Sequence, residues 1–212
     1  MGIDSSNKQK KEFVMDFTSF VDNYYQQYIK AINSFDKASL EPVLETFLKV
    51  AKNNGILWTA GNGGSAAICD HTVCDVTKGT HKDGQPSIKS ISLSSNAAML
   101  TALGNDISYD VVFSEQLKYY LGKNDALLLV SSSGNSPNVV KACEYANKMG
   151  VPTIAFVGFK GGKLKEIAKH CVWIPVENYG MAEDAHQSLM HVTTQYIMAH
   201  VREQVAEAEA VS

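Results

Sequence analysis

Two apolar runs in this sequence end abruptly in small-residue loops. Ile56–Ala60 gives way to Gly61-Asn62-Gly63-Gly64-Ser65, and Ala126–Val130 gives way to Ser131-Ser132-Ser133-Gly134-Asn135-Ser136. Each loop is followed by a stretch of helical character. A buried strand, a tight turn and a helix start leave backbone N–H groups and hydroxyls free at the positive end of a helix dipole, where an anion is stabilised. Serine is a poor core filler but offers a donor and two acceptors. Two such serine-bearing cradles in one chain point to a phosphorylated, polyhydroxylated ligand.

The pattern around these loops is α/β. Strands are predicted at Ile56–Ala60, Ile88–Leu93, Ala126–Val130, Thr153–Val157 and Cys171–Ile174, and helices at 65–78, 96–104, 110–121, 136–149 and 163–169. Mostly apolar strands separated by helices make a parallel sheet covered on both faces, a doubly wound α/β domain. Ile88–Leu93 fits least well, since Lys89, Ser90 and Ser92 interrupt it.

Ahead of the first strand, Phe13, Phe17, Phe20, Val21, Tyr24, Tyr28 and Ile32 recur at helical spacing over 12–33. A second helix is expected over about 40–53, capped by Ser39, with Pro42 in its first turn and Asn53-Asn54-Gly55 as its stop. A long helix over about 182–208 closes the chain. The whole reads as one domain: N-terminal helices over 1–54, then the α/β core and C-terminal helix over 55–212. The two leading amphipathic helices need a surface to cover, on the same domain or on another subunit.

Composition excludes several function classes. A chain of 212 residues is long enough for one well-cored domain. A formal net charge of −3 argues against a nucleic-acid backbone as the main partner; Lys8-Gln9-Lys10-Lys11 is the basic cluster near a terminus, read as a solvated helix start. No apolar stretch nears the roughly 20 residues that cross a bilayer, and the N-terminus lacks an apolar signal core. A cytoplasmic protein without a membrane partner is expected. Cys69, Cys74, Cys143 and Cys171 lack the spacing of a zinc ribbon or a redox pair and are read as reduced packing residues.

The remaining motifs each carry a chemical and a structural reading. Gly61–Ser65 lacks the spacing of a dinucleotide site or a P-loop, so it is a ligand cradle or a plain strand-to-helix turn. Ser136 stands where a helix N-cap belongs. His71 and Asp75, four apart, share a helix face. Glu183 and His191, eight apart, are offset by about 80° around their helix axis. The two pairs converge as a metal site or acid/base set, or else stay separate as surface ion pairs and satisfied core histidines. His81, His170, His186 and His200 are read as structural. Asn105-Asp106 is a loop that orients sugar hydroxyls, or a turn or cap. Gly158–Gly162 reads as a connection without chemistry.

Taken together, these residues resemble the sugar isomerase (SIS) domain and, within it, the phosphoheptose isomerase family, whose substrate is sedoheptulose 7-phosphate. The likeness covers nearly the whole chain. It rests on Gly-Asn-Gly-Gly-Ser at 61–65, Gly-Asn-Asp at 104–106, Ser-x-Ser-Gly-Asn-Ser at 131–136 and Gly-Gly-Lys at 161–163. The family shows a His with a Glu four residues on; this sequence has His71 with Asp75. The family also shows Gln-Glu-x-His-x4-His in its last helix; here Glu183-Asp184-Ala185-His186-x4-His191 keeps the spacing, with Glu183 at the Gln position.

The resemblance implies an aldose–ketose isomerase working through an enediol, with Asp75 and His191 as catalytic groups. It implies a divalent metal, zinc in the family, held by His71, Asp75, Glu183 and His191. Asn62, Gly63, Ser65, Asn105, Asp106, Ser131, Ser133, Ser136 and Glu183 would contact the sugar phosphate. A homotetramer with sites at subunit interfaces is implied as well. The substitution at Asp75 retracts a carboxylate by one methylene, and Glu183 adds a negative charge that favours a cation. Two rival readings accompany this one: a non-catalytic SIS scaffold that binds a replication-initiator protein, and an isomerase or sensor for another sugar phosphate.

Overall fold

The computed structural model describes residues 16–84 and 86–211, with side chains through residue 200. Five parallel strands, β1 (Ile56–Gly61), β2 (Lys89–Ser92), β3 (Ala126–Ser131), β4 (Thr153–Val157) and β5 (His170–Trp173), lie in the order β2-β1-β3-β4-β5. Around them run α1 (Phe17–Ser34), α2 (Glu41–Lys52), α3 (Gly64–Cys74), α4 (Ala97–Asp106), α5 (Val112–Tyr120), α6 (Pro137–Lys148), α7 (Gly162–Ile167) and α8 (Tyr179–Val211). This is the doubly wound domain that the strand–helix alternation predicts.

Period-two alternation divides the core into two layers. Leu128 and Val130 of β3 join Leu57, Ile154 and Phe156 on one face, under Phe47 and Val50 of α2, Ile68 of α3 and Leu189 of α8. Leu127 and Leu129 point the other way, with Trp58 and Ala155, against Phe113 and Leu117 of α5, Val139 and Ala142 of α6 and Leu164 of α7. Each large side chain fully buried this way stabilises the fold by about 1.5–3 kcal/mol relative to exposure. The leading helices cover the same domain: Ala31 of α1 joins the first layer, and the Tyr24 hydroxyl donates to Asp184 of α8 at 3.3 Å.

Several boundaries differ from expectation for identifiable reasons. Ser39 does not cap α2. A 3-10 turn over Lys37–Leu40 precedes that helix; Asp36 caps the turn by accepting from the Ala38 N–H at 3.0 Å, and the Ser39 hydroxyl donates to the Asp36 carbonyl. The fourth helix does not stop at Gly104 but runs through Asp106. The long C-terminal helix starts at Tyr179.

β2 is an edge strand turned opposite to its apolar content, with Ser90 and Ser92 buried and Ile91 exposed. The Ser90 hydroxyl is satisfied by donating to the Leu57 carbonyl at 2.8 Å. Of the four cysteines, Cys74 is exposed rather than packed, whereas burial pushes the Cys143 and Cys171 thiols up to about 11. Phe13 and the Lys8–Lys11 cluster lie outside the described residues. Among the described residues no helix is long and apolar enough to cross a membrane.

Candidate active site at the crossover of the sheet

In a doubly wound sheet, ligands bind beyond the carboxyl ends of the strands where the strand order reverses. Here that point lies between β1 and β3. Gly61 is the register partner of Val130, so the loops that follow them, 61–65 and 131–136, emerge side by side. Gly134 has φ 66°, and a Cβ there would lie 2.0 Å from the Gly161 carbonyl oxygen, so glycine alone permits the close approach. The connection 158–162 braces the serine loop. The Gly158 N–H donates to the Ser132 carbonyl at 2.9 Å and the Lys163 N–H to Asn135 Oδ1 at 2.8 Å.

Between the two loops lies a cavity of about 140 Å³ whose walls include Asn62, Ser65, Ser131, Ser132, Ser133 and Ser136, with Tyr179 and Glu183 from α8. Its hydroxyls are poised rather than saturated. Ser136 occupies the N-cap position of α6, yet its side chain makes no capping hydrogen bond. Ser131 and Ser133 accept from the Gly134 and Asn135 N–H groups at 3.2 and 3.3 Å, which leaves each hydroxyl proton to donate elsewhere. The Ser132 oxygen is buried with no partner at all. Leaving a buried hydroxyl unpaired costs about 1–3 kcal/mol, and a bound anion would remove that cost. Asn62 serves mainly to shape the wall: it exchanges amide hydrogen bonds with Asn138 at 2.9 and 2.8 Å and accepts from the Tyr109 hydroxyl at 2.9 Å. Gly63 opens α3 with φ 53°.

Two turns along α3 and α8 from this cavity, three of the four ligand candidates meet. Asp75 Oδ1 lies 3.3 Å from His71 Nε2 and Asp75 Oδ2 lies 3.6 Å from His191 Nε2, while the two imidazole rings stand edge to face at 5.1 Å. One donor atom from each falls within 4.8 Å of the others. Two imidazoles and a carboxylate are a donor set that suits zinc with a coordination position left open. Asp75 begins a π-helical turn over Asp75–Gly79, an irregularity common at functional sites.

Glu183 stands apart from this trio at the serine cavity. A Cβ on Gly64 would come within 2.3 Å of its Oε2, so the carboxylate rests against the bare backbone at the start of α3. Asn105 and Asp106 are also elsewhere, exposed in the last turn of α4 and hydrogen-bonded to each other at 2.9 Å. The residues not foreseen are Ser132, Tyr109, Asn138, Tyr179 and Gln187, whose amide lies 3.2 Å from His191 Nε2. Only Ser132 had a local signal, as part of the serine run.

The SIS domain family profile matches residues 21–158. Among curated relatives, the probable phosphoheptose isomerase of Thermoplasma volcanium is 35% identical over 170 residues, covering 80% of this chain and 86% of that protein. The phosphoheptose isomerase of Akkermansia muciniphila is 34% identical over 158 residues, covering 74% and 83%. The solved phosphoheptose isomerase of Neisseria gonorrhoeae superposes with a TM-score of 0.80 at 27% identity, covering 87% of this chain and all of that one. The chain belongs to the SIS-domain phosphoheptose isomerase family. As a member of that family it is an isomerase.

Proposed function

We propose that this isomerase interconverts an aldose and a ketose phosphate, and that its substrate is sedoheptulose 7-phosphate. The observation that carries the reading is the Asp75 carboxylate set between His71 and His191, two turns along the same helices from a cavity of unsaturated serine hydroxyls. Glu183 borders the cavity and His191 the cluster, about 12 Å apart along α8. An extended chain advances about 1.2 Å per bond, so seven carbons and a phosphoester reach about 10 Å. That span favours a long sugar with its phosphate in the serine cradle and its carbonyl end at Asp75.

In this reading the serines bind the phosphate, and that remote binding energy orients C1 and C2. Asp75 removes a proton from C1 while His191 gives one to the C2 carbonyl oxygen, forming the enediol. Return of a proton to C2 and loss of the O1 proton complete the aldose. His71, Asp75 and His191 would hold a divalent cation, zinc by family resemblance, which supplies a Lewis acid for the developing oxyanion. A carboxylate and two imidazoles in one cluster favour turnover over a scaffold role. We propose in addition a cytoplasmic homotetramer, supported by the exposed Phe17, Phe20, Tyr25 and Ile29 of α1.

The test is proton exchange at C1 of sedoheptulose 7-phosphate in deuterated water, followed by NMR. Wild-type protein should exchange and convert the sugar, and Asp75→Asn should do neither at a comparable rate. Equal exchange in the two removes Asp75 from the role of base. No conversion by the wild type removes the substrate.

A further inference from the structure

Phe159 adopts φ 45°, one of two non-glycine residues among those described with positive φ. A bulky side chain in the left-handed region costs about 1–2 kcal/mol, and such strain persists only where the surroundings impose it. They do so here: the Phe159 N–H donates to the Val176 carbonyl at 3.0 Å, and its own carbonyl accepts from Trp173 Nε1 at 2.9 Å. The result is a ring fixed 4.8 Å from the ring of Tyr179, at 53° to it.

That ring pair stands on a boundary. Tyr179 lines the serine cavity, whereas Phe159 lines a second chamber of about 250 Å³ with Asn135, Lys160 and Glu177, and Ser133 borders both. The serine cavity alone, at about 140 Å³, is smaller than the roughly 300–1,000 Å³ usual for a small-molecule site. A phosphorylated sugar must therefore extend out of it, toward Asp75 in the proposed reading, and the walls of the cavity itself decide what can stand beside the phosphate. The second chamber is bordered by the exposed charges of Lys160 and Glu177 and would accept a polar substituent were the wall absent.

We infer that Tyr179, backed by Phe159, is the specificity-determining wall of this site: its ring packs against the C–H face of the sugar chain next to the phosphate and shuts substituents out of the neighbouring chamber. This rests on the isomerase reading of the same site. Tyr179 is 62% exposed, so its truncation should leave the fold intact.

Steady-state kinetics of the wild type, Tyr179→Ala, Tyr179→Phe and Phe159→Gly test it, with sedoheptulose 7-phosphate and its bulkier 6-O-methyl ether, which carries the added group beside the phosphoester, as probes. Tyr179→Ala should raise KM for the heptulose phosphate about 10-fold with kcat little changed, as loss of uniform binding requires. It should also narrow the preference over the bulkier probe about 10-fold. Tyr179→Phe, which keeps the ring, should retain the wild-type preference between the two probes. Phe159→Gly should resemble Tyr179→Ala although it relieves the strained backbone. Unchanged KM and preference in Tyr179→Ala, with an active wild type, overturn the wall and leave the isomerase reading standing. A wild type that neither binds nor converts a sugar phosphate overturns both.

Discussion

The carboxylate of Glu183 lies on the bare Cα of Gly64, so close that a Cβ there would come within 2.3 Å of Oε2. It occupies the N-terminus of α3, where a negative charge is stabilised by the helix dipole. In the proposed reading this charge would direct the phosphate to the 131–136 side of the cavity. Gly64→Ala should push the Glu183 side chain aside and lower kcat/KM for sedoheptulose 7-phosphate at least about 10-fold through misplacement alone. Its thermal midpoint should stay within a few degrees of wild type, because the obstructing atoms are the far end of a flexible side chain. Full activity in this variant would show that the Glu183 position does not matter to the sugar.

Asp75 is the residue on which the proposed chemistry turns. General-base catalysis contributes about 10²–10⁴-fold, so Asp75→Asn should lose activity on that scale. Asp75→Glu restores the family's residue and should retain more activity than the amide. Rapid-quench and NMR measurements on both variants decide between a base and a mere spacer.

Chelation probes the His71–Asp75–His191 cluster directly. Removing divalent cations should lower kcat at least about 10-fold, and stoichiometric zinc should restore it, given the charge stabilisation a Lewis acid supplies. His71→Ala should reduce the bound metal measured by elemental analysis. A fully active, metal-free preparation would confine the cluster to proton transfer.

His186 is completely buried on α8 against Phe156 and beside the Val157 backbone, and burial pushes its imidazole down to about 4. In the unfolded chain histidine titrates near 6.5. Between those values the unfolded state binds more protons, so stability rises with pH. The contribution is complete above about 6.5 and drains away as pH falls toward 4, a change of about 3 kcal/mol. Urea unfolding from pH 7 to 4.5 should show this slope, and His186→Leu should flatten it. Parallel curves for the two proteins would mean that the ring is hydrated in solution.

Assembly is tested on α1. Phe20 is 54% exposed and close to the still more exposed Phe17. Phe20→Asp should lower the mass seen by sedimentation equilibrium if α1 is an inter-subunit surface. An unchanged mass places the contacts elsewhere.

The sequence displayed the scaffold more openly than the site. β4 matches its predicted span residue for residue, because five consecutive buried side chains leave a plain apolar run. β2 is hardest to read because its serines point inward, Ser90 donating to the backbone of β1 and Ser92 accepting from the Ser94 N–H, a compensation made in three dimensions. Helical spacing pairs His71 with Asp75 and Glu183 with His191 without deciding their role, and the family resemblance is what makes them one candidate site. Glu183 was expected beside them, but its placement depends on Gly64, a residue far away in the chain. Tyr179, Asn138 and Gln187 carry no pattern of their own; each matters only through the neighbour that folding brings to it.

The side-by-side exit of the loops from β1 and β3 has a practical corollary. The serine cradle and the His–Asp–His cluster follow the carboxyl ends of those strands, while the opposite rim is built from the turns at 53–55, 122–125 and 150–152. On that rim Gly150, where an added Cβ would meet nothing within 4 Å, is the place to graft a tag or tether, whereas Asp125 accepts from the Ile56 N–H and Trp58 Nε1 and holds β1 to β3.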